Sequence, residues 1–124
     1  MDFGVHLPLM DFGGNPFTLR SLIDYTDRAA QLGFKALSVN DHMVFSVPWL
    51  DGPSALAAVL SHSDSMTLAT TVSLPAIRGP VPLAKTLAAI DEMEQTLREE
   101  GHTEYDGQIT AIRRLVEKTA AGAA

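Results

Sequence analysis

Asn40, Asp41 and His42 are three consecutive polar side chains that end the run Gly33-Phe34-Lys35-Ala36-Leu37-Ser38-Val39. An imidazole exchanges protons near neutral pH, so His42 is a candidate general acid or base. Asp41 is placed to orient His42. A carboxylate and an imidazole at a strand end can equally cap it, form a turn or bond loop backbone. Position adds to type, because ligands of α/β proteins bind at the carboxyl ends of parallel strands, where loops and helix N-termini converge. His6, near the end of Phe3-Gly4-Val5-His6-Leu7-Pro8, is a second imidazole at such a place, with a core or loop role as the alternative. His62 and His102 fall at helix ends, and no pair of histidines has metal-ligand spacing, so no metal site is expected. Phe45 and Trp49 follow His42 and either wall a pocket or pack their own loop down. No cysteine is present, which excludes thiolate nucleophiles, disulfides and cysteine metal sites. No serine sits in a nucleophile elbow, and Gly13-Gly14 lacks the spacing of a dinucleotide fingerprint.

The elements that must position these residues follow from the patterning. Residues 3–8 read as a first strand stopped by Pro8, followed by a loop through Gly13 and Gly14. Thr18 is an N-cap for a helix carrying Leu19, Leu22, Ile23, Thr26, Ala29 and Ala30 on one face, with Gly33 as its stop. Ala36 to Val39 is a second strand, expected to be buried on both faces from its continuous apolar character. Asp51-Gly52-Pro53-Ser54 opens an Ala/Leu-rich helix that ends near His62, and Thr67 to Val72 is a third, β-branched strand cut off by Pro75. Gly79-Pro80 opens a long helix with Leu83, Leu87, Ile90, Met93 or Glu94, and Leu97 on its stripe, closed by Gly101. A last helix carries Ile109, Ile112, Leu115 and Val116. The order β-α-β-α-β-α-α implies a parallel sheet with right-handed crossovers in one domain spanning 1–124.

Charge narrows the partners. Among 124 residues the formal net charge is −6, and the basic residues stand singly apart from Arg113-Arg114, so no nucleic-acid groove is expected. No run approaches the ~18 apolar residues of a membrane span, and no basic leader precedes Phe3, so a cytoplasmic, soluble chain is expected.

Four stretches in order resemble the N-terminal part of the luciferase-like monooxygenase family: Phe3 to Pro8, Leu32 to His42, Leu68 to Val72, and Arg78-Gly79-Pro80-Val81-Pro82-Leu83-Ala84-Lys85 through Asp91. The resemblance implies the fold class: α/β, a partial TIM (β/α) barrel of about three parallel β-α units with an extra C-terminal helix. It implies an oxidoreductase or monooxygenase using reduced flavin (FMN) or the deazaflavin coenzyme F-420. The aspartate-histidine pair, Asp41 and His42, would lie beside the ring as the catalytic positions. His6, Asp41, Thr70, Thr71 and Val72 would be cofactor-binding, with a cis peptide between Thr71 and Val72 bulging against the ring where an ordinary trans strand is the alternative. After Asp91 the sequence departs from the family and stays helical through Glu92-Met93-Glu94-Gln95.

A whole barrel takes roughly 250 residues. Three strands leave two open sheet edges and an apolar barrel face uncovered, so a homo-oligomer or a barrel-completing partner chain is expected. Two copies supply about six strands, short of the eight of a closed barrel. The alternative is a non-catalytic half-barrel remnant or partner subunit that binds no cofactor, its last helix laid over the exposed face. The small-molecule substrate is not specified by any of these residues.

Overall fold

The computed structural model describes residues 1–10, 13 and 18–99. The expected last helix, His102, Gly101 and most of the loop around Gly14 lie outside the described residues. The element order is β1 (Gly4–His6), α1 (Leu19–Gln31), β2 (Ala36–Val39), α2 (Gly52–Val59), a 3-10 turn (Leu60–His62), β3 (Thr67–Thr70), α3 (Pro75–Arg78) and α4 (Pro80–Glu99).

Local chemistry sets the boundaries. Thr18 and Ser21 form a reciprocal capping box, each side chain accepting the other's backbone N–H at 3.1 Å. Gly33, at φ +80°, ends α1 by turning the chain left-handed while its N–H bonds the Ala30 carbonyl at 2.9 Å. The chain then enters β2 directly. Asp51 caps α2 by accepting the Ser54 N–H at 3.0 Å and its hydroxyl at 2.6 Å. Pro75 occupies the first turn of α3, a single helical turn not expected from the sequence, which places no element between Pro75 and Gly79.

The three strands form one parallel sheet in the order β1-β2-β3, with Val5, Leu37 and Leu68 in register. Those three side chains and Val39 share the face that packs on the helices. The core there gathers Leu7, Leu9, Leu22, Ala29, Leu37, Val39, Ala55, Leu56, Val59 and Met66. α4 packs on α2, the 3-10 turn and α3, burying Leu83 and Ile90 of its expected stripe, while Met93 is exposed.

Two expectations need correction. β2 is not buried on both faces: Leu37 and Val39 are buried, but Ala36 and Ser38 are only half-buried. The second face, formed by Gly4, His6, Ala36, Ser38, Thr67 and Ala69, contributes nothing to the hydrophobic core. Nor is that face strongly apolar, since glycine, alanine, serine, threonine and histidine make it up. The third strand also ends earlier than expected, at Thr70; the Thr71 N–H still bonds the Val39 carbonyl at 2.6 Å, after which the chain leaves the sheet. The Thr71–Val72 peptide is trans, as are all peptide bonds among the described residues. The chain bends at Thr71 and Val72 on its way into α3, and Val72 is left exposed.

Candidate functional site

At the carboxyl end of β2 the chain delivers Asp41 into the interior, its side chain only 1% exposed. A lone buried carboxylate would be strongly disfavoured, and this one is fully matched. Arg78 donates to it through Nε at 2.6 Å and Nη2 at 2.5 Å, and the Leu74 N–H adds a bond at 3.2 Å. The same Nη2 also reaches Asp51, the cap of α2. One guanidinium therefore joins the end of β2, the start of α2 and α3, to which it belongs. The Arg78 hydrogen bonds hold the Asp41 carboxyl below the usual carboxylate range, against burial, which alone would raise it. Burial likewise pushes Asp51 up, but the Ser54 and Arg78 bonds outweigh it and its carboxyl also lies low. Arg78 is raised, chiefly by its bonds to Asp41.

Asp41 thus turns to Arg78 and the Leu74 backbone, and His42 turns to aromatic rings. The His42 ring meets Trp49 edge-on at 4.4 Å and lies 5.0 Å from Phe45, which itself packs on Trp49 at 4.9 Å. The three rings border a cavity of about 450 Å³ along the loop from His42 to Trp49. Phe45 and Trp49 therefore both wall this cavity and pack the loop. The loop is anchored to the end of the first strand region by the Leu50 N–H on the Leu9 carbonyl at 2.7 Å and by a bridge between Met10 and Trp49.

His6 lies on the open sheet face with an exposed side chain. Its Nδ1 is 2.9 Å from the Leu7 carbonyl, which can only accept, so Nδ1 carries the proton and Nε2 is the acceptor of the neutral ring. The Tyr25 hydroxyl fixes the His6 carbonyl at 2.9 Å, and burial raises the pKa of that phenol. Thr70 points to the helix side, where its hydroxyl accepts from Ser73 at 2.8 Å. Thr71 is exposed, its hydroxyl 3.5 Å from the Val39 carbonyl, and Val72 follows it on the surface.

On the open face Gly4, Ala36, Ser38 and Ala69 make a floor without bulky side chains, the footing that a flat ring system would need. A Cβ on Gly4 would come within 3.0 Å of the Ala36 Cβ, so the floor is close-packed at that point. A phosphate on such a ring system has no comparable footing among the described residues, where the guanidinium at these strand ends, Arg78, is already matched by two carboxylates. Among the described residues no group of His, Cys, Asp or Glu side chains could hold a metal, and no helix is long and apolar enough to cross a membrane.

The sequence reading missed Arg78 and Asp51 as partners of Asp41. A signal was there: Arg78 is the one charged residue between Asp64 and Lys85, and a charge isolated in an apolar stretch needs a partner. Nothing in the sequence said which carboxylate it would find.

A one-sided parallel sheet with its polar residues gathered at the strand ends is a segment of a β/α barrel. The chain belongs to the luciferase-like monooxygenase family, whose model matches residues 1–95. In fold it is similar to the crystal structure of monooxygenase RslO1 from Streptomyces bottropensis, at 23% identity and a TM-score of 0.59. That likeness covers 91% of this chain and 36% of the other, so this chain spans about a third of that protein's length. No curated protein matches the chain.

Removing the Asp41 charge leaves Arg78 buried without its main partner, so Asp41→Asn is expected to lower the unfolding free energy by about 3–5 kcal/mol in urea titrations. Because the folded Asp41 carboxyl lies below its unfolded value of about 3.9, its contribution is complete above roughly pH 5 and is lost as pH falls through the folded value. Asp41→Asn should therefore unfold with a flatter dependence on pH in the acid range than the parent. An equally steep acid dependence in both proteins would contradict this.

Proposed function

We propose that this chain is the N-terminal β/α portion of a luciferase-like oxidoreductase that works with reduced FMN or coenzyme F-420. The observation that carries the reading is the open sheet face, whose small-residue floor ends in His6 on β1, with the His42 loop leaving the end of the neighbouring β2. The bound cofactor would supply the hydride or oxygen chemistry. The chain's own residues have narrower tasks. Gly4, Ala36, Ser38 and Ala69 leave room for a ring, and His6 offers Nε2 to it. His42 holds or donates a proton beside the substrate, while Phe45 and Trp49 exclude water from that side. Thr71 and Val72 border the ring, and Asp41 acts from beneath by fixing the backbone that carries His42.

The remaining β/α units and the phosphate-binding groups lie outside the described residues; a partner chain of different sequence could supply both, whereas further copies of this one would add strands only. Among the described residues β1 and β3 are the two edges of the sheet with no further strand beside them, which supports completion of this kind. The neutralised Arg78 supports a second reading, a non-catalytic partner subunit that retains the fold without binding the cofactor.

Titration of the full chain with reduced FMN and with F-420 separates these readings. The enzyme reading expects at least one to bind with a dissociation constant below about 1 mM, with His42→Ala weakening it by about tenfold. Binding of neither below that limit defeats it. Analytical ultracentrifugation of the chain alone at micromolar concentration should show a dimer or larger species; a clean monomer rules out completion by self-association.

A further inference from the structure

Asp41 and Asp51, which share the Arg78 guanidinium, are the residues on either side of segment 42–50. Arg78 therefore fastens together the two ends of the loop that carries His42. A second close approach lies at the same point. A Cβ on Gly52 would sit 2.4 Å from the Asn40 carbonyl oxygen, so the backbone entering the loop touches the backbone leaving it, and only glycine permits this. A compact loop with adjacent ends packs on its own side chains, and here these are the three rings of His42, Phe45 and Trp49. Segment 42–50 contains no Asp, Glu, Lys or Arg, so no charge within it competes for Arg78.

We propose that Arg78 is a positioning residue: by joining Asp41 to Asp51 it sets the closure of loop 42–50, and with it the place of the His42 imidazole against Trp49. Arginine suits this task because its planar fork presents several donors in fixed directions and serves two carboxylates at once, which a lysine's single ammonium does not reproduce. The functional weight of the proposal rests on the reading of His42 as a site residue, since sub-ångström placement of such a group governs its use. The clasp itself stands on the geometry alone.

Asp51→Asn separates positioning from stability. Asparagine caps a helix as well as aspartate does, so α2 keeps its cap while the charge facing Arg78 is removed. Trp49 is the one tryptophan in the chain, so acrylamide quenching of its fluorescence reads the loop directly. At room temperature, with far-UV circular dichroism matching the parent, the quenching constant should rise about twofold in Asp51→Asn as the loop opens locally. Arg78→Gln should show a larger rise. An unchanged constant in Asp51→Asn, with a lowered unfolding free energy in Arg78→Gln, would make Arg78 a stabilising residue only and overturn the proposal. The measurement requires no cofactor, so a loop that loosens in a chain that binds neither FMN nor F-420 upholds the clasp and defeats only the enzymatic reading.

Discussion

The pairing of buried Asp41 with Arg78 is the constraint on which the rest of this structure depends. A carboxylate with 1% of its side chain exposed is tolerable only with its charge and lone pairs matched, and Arg78 and the Leu74 N–H supply that match. Meeting this requirement places α3 against the end of β2, because Arg78 is the last residue of that helical turn. It also places the start of α2, because the same guanidinium takes its capping aspartate. Three crossings of the chain thus converge on one side chain at the end of the sheet where ligands of this fold class bind. The pair holds these three segments together, and both Asp41 oxygens are engaged in doing so.

The sheet above this frame is covered on one face only. Right-handed crossovers send every helix of a β/α series to the same side, so the other face awaits whatever completes a barrel. Its composition answers two needs at once. Gly4, Ala36, Ser38, Thr67 and Ala69 bury little apolar surface, so leaving them exposed costs less than exposing a leucine- or isoleucine-lined barrel interior would. The same small side chains leave space over the sheet for a flat ligand.

Much of this was legible in the sequence wherever the determinants are local. The Thr18 cap, the Gly33 stop, the Asp51-Gly52-Pro53-Ser54 entry to α2 and the Gly79-Pro80 entry to α4 each rest on residues within one helical turn of the feature they cause. The strand end at Asn40-Asp41-His42 was equally visible as a change from apolar to polar. What stayed hidden was long-range. Asp41 and Arg78 are separated by 37 positions, and Asp51 meets Arg78 across 27, distances over which spacing says nothing about pairing. The one-sided burial of β2 was misread for a related reason: Ala36 and Ser38 are small enough to suit a buried or an open face, and the covering layer decides which. The family likeness, in turn, supplied a cis bond at Thr71–Val72 that this chain does not adopt.

The central claim is that Asp41 and Arg78 act as one unit, and a double-mutant cycle tests it most directly. Unfolding free energies are needed for the parent, Asp41→Asn, Arg78→Met and the double variant at neutral pH. A buried, mutually dependent pair predicts a coupling of about 2–3 kcal/mol, with the double variant more stable than the sum of the single losses implies. Additive losses, with a coupling within about 0.5 kcal/mol of zero, would show that the two side chains stabilise the fold separately and would contradict the account.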